Sequence, residues 1–283
     1  MTDAATELDR LLEIMARLRD PQGGCPWDLE QDFRSILPHT IEEAYEVADA
    51  IESGDMQALV GELGDFMFQV VFYAQMAKEA GHFAMVDVLK AINNKMIERH
   101  PHVFGAAEIN TAAAQTVAWE TQKAHERAKV AASEGRAPSA LDGVISALPA
   151  LTRADKLQKR AARVGFDWRD AGEVVAKIEE EIDEVRAEIA GNDKAKLDEE
   201  IGDLLFAVTN LARHLEIEPE GALRRANAKF ERRFRRVEEI LKADNLDPVK
   251  AGLDRMEEAW NAVKLEERLS IGRGGGTGAK SRR

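Results

Sequence analysis

Apolar residues along this chain recur every three or four positions, and the alternate-position pattern of β-branched residues that marks strands is scarce. The pattern predicts an all-α fold. A first helix is expected from about Thr6 to Arg19, closed by "DPQGG". A second should follow Pro38 and Thr40, because "TIEE" (40–43) has the spelling of a capping box with Thr40 as N-cap and Glu43 at N3. "SGD" (53–55) parts it from a third helix that ends near Ala80. "AGH" then leads to a helix ended by Pro101, and another starts near Thr111. In the second half, Asp170 (with Glu173) and Asp193 have N-cap chemistry. "AGND" (190–193) is short enough to fold two helices into an antiparallel pair.

The polar pattern repeats. "ELGDFMF" (62–68) returns as "EIGDLLF" (200–206), and the same 138 positions separate Glu42, Glu43 and Glu46 from Glu180, Glu181 and Glu184. "NNKMIER" (93–99) resembles "NAKFERR" (227–233), and "AWETQK" (118–123) resembles "AWNAVK" (259–264), with drifts in offset that belong to loops. The chain therefore reads as two tandem helical-bundle domains, 1–130 and 144–269, the second expected to be catalytic. Between them "AASEGRAPSALDG" (131–143) is small, polar and proline-bearing, as a linker is. The end, 270–283, reads as a flexible basic tail.

Composition narrows the class. At 283 residues there is room for about two domains, and 45% hydrophobic with 32% charged residues suits a soluble globular protein. No window approaches the roughly 18 uninterrupted apolar residues of a membrane span, and the start carries acids rather than the layout of a secretion signal. One cysteine, Cys25, cannot form an internal disulfide, which fits a reducing cytoplasm. The formal charge of −13 argues against general nucleic-acid binding. It also means that an anionic ligand needs a local reversal of the field, and a bound divalent cation is the usual means.

On a helix, residues three or four apart share a face, with about 5–6 Å between Cβ atoms. Glu181 and Glu184 should project together, as should Glu200 and Asp203, beside apolar stripes of Ile178, Ile182, Val185 and Ile189 and of Leu204, Val208 and Leu211. Four carboxylates then face one another across a helix seam, and Glu43, Glu46, Glu62 and Asp65 form a second such set. A run of acids is ordinarily a solvated face. Here, however, Glu180 and Glu184 repel at i,i+4, as do Glu42 and Glu46, and both copies keep the acid groups 19 residues apart. Carboxylates 4 Å apart repel by about 4 kcal/mol at an effective dielectric near 20, so the clusters call for a cation. Oxygen-only ligands select a hard one. The Glu-x-x-His of a di-iron bundle occurs only at Glu79 and His82, in a turn, and zinc would want histidine or cysteine. Mg2+ fits best, with Mn2+ second.

"EEAYE…ELGD" and "EEEIDE…EIGD" resemble the E-E-x-x-E … E-x-x-D signature of the MazG nucleoside triphosphate pyrophosphohydrolases. The resemblance spans about 6–268 and takes in "GGCPWD" near the start and "KFERRF" late. It implies an all-α bundle, assembled as a homodimer, that uses Mg2+ to split a nucleoside triphosphate such as ATP into monophosphate and pyrophosphate. It implies Glu181, Glu184, Glu200 and Asp203 as metal ligands, and Lys229 and Arg233 as triphosphate contacts. Beside these, Glu180 is the expected group to bind or polarise the attacking water. Lys177, one turn before Glu181, is placed to reach a phosphate oxygen. Trp260 and Lys264, at i,i+4, offer a base-stacking surface and another charge, although Trp260 reads equally as core. His100, His102, His125 and His214 show no triad or ligand spacing, and Cys25 has no cationic neighbour to activate a thiolate.

The second copy reads as the better equipped. Glu43, at N3 of a capping box, is partly engaged by backbone, whereas the second helix caps upstream at Asp170 and leaves Glu181 free. His39, mostly uncharged at neutral pH, stands where the second copy has Lys177. The expected function is Mg2+-dependent hydrolysis of nucleoside triphosphates or altered dNTPs, as housekeeping of the nucleotide pool. Competing readings are a related all-α dUTPase, a phosphoribosyl-ATP pyrophosphohydrolase, and a nucleotide-sensing module that binds without cleaving. The tandem layout and "GGCPWD" favour the MazG reading over the first two.

Overall fold

The computed structural model describes residues 3–269 in full and the backbone of 270–274, and every regular element among them is a helix. Two compact units divide the chain, Met1–Ala124 and His125–Arg283. The first opens with α1 (Ala4–Leu18), α2 (Pro26–Glu30), α3 (Phe33–Ser53) and α4 (Met56–Glu79). It continues with α5 (Met85–Arg99), α6 (Pro101–Phe104) and α7 (Ala112–Ser133), which runs on across the division. The second unit holds α8 (Ala150–Ala162), α9 (Ala171–Gly191), α10 (Lys194–His214), α11 (Pro219–Ala243) and α12 (Pro248–Gly274). α7 extends through Ser133, three residues into the segment read as a linker, and α12 extends into the segment read as a tail. The rest of that tail, 275–283, lies outside the described residues.

The start of α3 differs from the sequence reading. Asp32, not Thr40, is the N-cap: its side chain accepts from the backbone N–H of Arg34 (2.7 Å) and Ser35 (2.8 Å), while Ser35 Oγ accepts from Asp32 N–H (2.8 Å). Those N–H groups hold the Asp32 carboxyl below its usual range. Pro38 therefore lies inside α3, past its first turn, where it removes the bond an N–H would make to the Arg34 carbonyl. Thr40 turns its hydroxyl to Ile36 O (3.3 Å) and to the Tyr73 hydroxyl (2.9 Å). Glu43 is thus released from any capping duty.

Before α2 the backbone doubles back so tightly that a Cβ on Gly24 would fall 2.3 Å from Leu18 O, which admits only glycine. Cys25 N–H closes this turn on Leu18 O at 2.8 Å. Arg19, beneath it, forks onto both Glu79 oxygens (2.8–3.0 Å) and lies over the Phe72 ring. The core of the first unit is Met15, Ile36, Val71, Phe72 and Met76, from α1, α3 and α4. In the second unit Val237 and Leu241 of α11 pack on Ala259 and Val263 of α12, with Trp260 at the margin.

α9 and α10 form the expected hairpin. Asn192 takes the left-handed conformation (φ 57°) and Asp193 caps α10 through the N–H groups of Ala195 and Lys196. Their apolar residues cover more than one face. Ile178, Ile182, Val185, Leu204 and Leu211 are half-buried, but Ile189 and Val208, read as inward, are exposed. Val208 instead shares an open face with Ile201 and Leu205, and Leu63 and Met67 open the same face of α4.

Candidate active site

Asp170 starts α9 by accepting from Gly172 and Glu173 N–H (2.7 and 3.0 Å). The helix then carries Lys177, Glu180, Glu181 and Glu184 on successive turns. Glu181, Glu184 and Glu200 each bring one carboxylate oxygen to within 4.8 Å of the others. Asp203, expected as the fourth member, is exposed and stands outside this trio. Glu181 is only 4% exposed. One of its oxygens meets Lys177 Nζ at 2.8 Å; the other, Oε2, is buried with no hydrogen-bond partner. Loss of hydration, then the charge of Glu181, pushes the Glu184 carboxyl up. Loss of hydration, followed by Glu199, Asp203 and Glu181, does the same to Glu200. Lys177 is pushed up by its bonds to Glu180 (2.8 Å) and Glu181, so it stays an ammonium. Glu180, the expected water-binding group, is exposed and tied to that ammonium rather than to the trio.

The first unit builds a counterpart from Glu43, Glu62 and Asp65, with Glu46 outside it. Glu43 is pushed up by burial first and then by Asp65, Glu46 and Glu62. In place of Lys177 stands His39, whose ring meets Glu42 at 3.6 Å and the edge of Trp27.

The remaining expected residues form a separate group on α11 and α12. Arg233 binds Glu267 (2.7 Å) and lies 5.8 Å from the Trp260 ring, which also packs on Phe230. Lys229 is exposed, and Lys264 reaches Asn261 Oδ1 at 3.3 Å. The structure does not bring this group into the cavity that the acids line.

That cavity, about 690 Å3, is walled by α8, α9, α10 and the turn before α9. Lys177, Glu181 and Asp203 line it together with Gln158, Trp168, Asn210 and Arg213. Arg213 forks onto the Asp167 carboxylate, which also meets His214 Nε2 at 3.2 Å. These contacts hold Asp167 below the usual carboxylate range, against the opposing effect of burial. Sequence reasoning missed Gln158, Trp168, Asn210 and Arg213. Only "GFDW" (165–168), an aromatic pair around an acid beside a turn glycine, offered a signal.

Two stretches match the model of the MazG nucleotide pyrophosphohydrolase domain, 31–104 and 171–237, and each contains one acidic hairpin. A protein of Escherichia coli named nucleoside triphosphate pyrophosphohydrolase is 54% identical over 92% of this chain and 98% of its own length. The chain belongs to the MazG family. A Thermotoga maritima protein, named nucleoside triphosphate pyrophosphohydrolase/pyrophosphatase MazG, is 40% identical over 93% of this chain and 98% of its own. A Mycolicibacterium smegmatis nucleoside triphosphate pyrophosphohydrolase is 37% identical over 56% of this chain and 48% of its own. Trp260 and Lys264 fall outside both matched MazG stretches, as do Gln158 and Trp168.

Proposed function

We propose that the chain hydrolyses nucleoside triphosphates, ATP among them, to monophosphate and pyrophosphate, with Mg2+ and as housekeeping of the cytoplasmic nucleotide pool. The observation that carries this is Glu181: a nearly buried carboxylate with one oxygen unpaired, within reach of two more carboxylates whose affinity for protons is raised. Lys177 meets one of its oxygens, and the buried Oε2 leaves room for a second cationic partner. Three carboxylates with no histidine or cysteine among them suit a hard divalent ion, Mg2+ or in its place Mn2+, held by Glu181, Glu184 and Glu200 with Asp203 beside them. When bound, the ion would neutralise phosphate charge and make a nearby water more acidic.

The chain's own residues do the rest. Lys177 stays charged at neutral pH and turns from Glu180 to a phosphate oxygen. Glu180, so released, accepts a hydrogen bond from the attacking water and takes its proton as the water oxygen joins phosphorus and the α–β bridging oxygen leaves with pyrophosphate. Lys229, Arg233 and Lys264 lie on α11 and α12, apart from the acids, so in this reading they add positive charge at a distance, with Trp260 beside the Arg233 guanidinium. The exposed apolar face of Ile201, Leu205 and Val208 supports a homodimer, because a contiguous face of this kind marks an interface. No helix among the described residues is long and apolar enough to cross a membrane.

The test is product analysis. Incubation with each nucleoside triphosphate and Mg2+ should yield pyrophosphate and monophosphate in equal amounts, and EDTA should stop it. Orthophosphate as the released product overturns the reaction type; binding without turnover overturns the enzyme. Sedimentation at micromolar concentration should report twice the chain mass, and a Leu205→Glu variant should halve it.

A further inference from the structure

Part of the segment read as a linker is folded, and it reaches the cavity. α7 ends at Ser133 with Gly135 left-handed (φ 68°), and Arg136 N–H closes the helix end on Ala131 O at 3.1 Å. Ala131 itself is fully buried. The chain then turns about Asp142. Its Oδ2 accepts from Arg136 Nη1 (2.7 Å) and from Ser139 N–H (2.8 Å), while Asp142 N–H donates to Ser139 O (3.1 Å). Ser139 Oγ accepts from Leu141 N–H at 3.2 Å, and Arg136 Nε donates to Glu134 at 2.7 Å. Arg136 first, then Ser139 N–H, hold the Asp142 carboxyl below its usual range, so the pair stays charged at neutral pH. Gly143, also left-handed (φ 77°), lies so near α7 that a Cβ would stand 3.5 Å from Arg127 Cδ.

Leu141, inside this turn, lines the cavity with Lys177, Glu181 and Asp203. Every other described wall residue comes from α8, α9, α10 or the turn before α9. At 45% exposed, Leu141 gives little to the core, so its place is set by the hydrogen bonds of the turn rather than by packing. The turn and the cavity belong to the same unit. In the first unit Phe72 holds the position that matches Asn210 and is 1% exposed inside the apolar cluster, so the matching space there is core.

We propose that Arg136 and Asp142 are positioning residues that hold Leu141 as an outer wall of the cavity, where it keeps water from Lys177 and from a bound phosphate chain. The proposal rests on the hydrolytic reading above. An apolar side chain in that place lowers the local dielectric, which strengthens the attraction between the Lys177 ammonium and a phosphate oxygen. Removing the wall therefore weakens substrate binding without touching the acids.

Pyrophosphate release from ATP with Mg2+ tests this. Leu141→Ala should raise KM about tenfold and lower kcat less than about threefold. Leu141→Met, which restores the apolar bulk, should keep KM within about twofold of the wild type. Asp142→Ala should raise KM about fivefold by freeing the turn. The double variant Leu141→Ala/Asp142→Ala decides how Asp142 acts. If it works through Leu141, the double variant is no worse than Leu141→Ala alone; if it only stabilises the fold, the losses multiply to about fiftyfold. Multiplied losses overturn the positioning role, and an unchanged KM in Leu141→Ala overturns the wall. Calorimetry with α,β-methylene ATP and Mg2+ separates the proposal from the hydrolytic reading. If no nucleotide is cleaved, weaker binding in both single variants, with no further loss in the double, still supports the wall; binding equal to the wild type in both sinks it.

Discussion

The two units share an acidic hairpin and differ in what surrounds it. Glu43, Glu62 and Asp65 converge in one, Glu181, Glu184 and Glu200 in the other, each within 4.8 Å. In the second unit a lysine closes on the buried glutamate, and a cavity opens alongside. In the first, His39 stands in for the lysine, and Phe72 and Met15 are core. A duplicated motif has thus kept its charges while its setting diverged. The lesson is that a set of acids says where a cation can sit, and the groups next to them decide what else can.

The largest expected contrast is in turnover. Glu200→Gln should lower kcat by on the order of 100-fold or more, while Glu62→Gln should change it less than about threefold. Equal losses in a pyrophosphate assay would break the contrast. Transplanting the first unit's residue is the next test: Asn210→Phe should fill the cavity and cut kcat/KM by about tenfold or more, with the response to Mg2+ intact.

Stability gives smaller effects. Millimolar Mg2+ should raise the melting temperature by several degrees, since an ion at about 100 times its Kd contributes roughly 2.7 kcal/mol. Glu200→Gln should remove more of that gain than Glu62→Gln if the second hairpin binds the more tightly. The smallest effect is one of pH, and here the units should agree. Glu43, Glu184 and Glu200 are all pushed up in the folded state, so each stabilises the fold fully below about pH 4.5, the unshifted value, and loses that contribution as pH rises through its folded value. In EDTA, Glu184→Gln and Glu43→Gln should each melt higher than the wild type at pH 7, with the gain vanishing near pH 4. A gain in only one unit would show that the two clusters differ electrostatically as well.

Much of this was legible in the chain. The acid spacing, the caps at Asp170 and Asp193 and the turn between α9 and α10 are local, so sequence reports them directly. The start of α3 misled because two cap spellings compete there. Thr40 with Glu43 looks complete on paper, but Asp32 with Ser35 lies upstream, and the helix runs on through Pro38 despite the backbone bond lost there. With Glu43 free of the cap, its supposed engagement no longer separates the units; His39 and Phe72 do. The cavity was illegible for another reason. Gln158, Trp168 and Asn210 come from α8, a turn and α10, and no periodicity links them. Val208 misled because α10 is apolar on two sides, and one stripe cannot show which side finds a neighbour.

Lys177 has a consequence for assembly. A tethered ammonium screens the glutamates while the protein folds, so the second hairpin can close before any ion arrives. An ion delivered there would displace a side chain rather than condense three like charges. Among the described residues the first hairpin has no such built-in understudy: His39 stands there instead, beside Glu42.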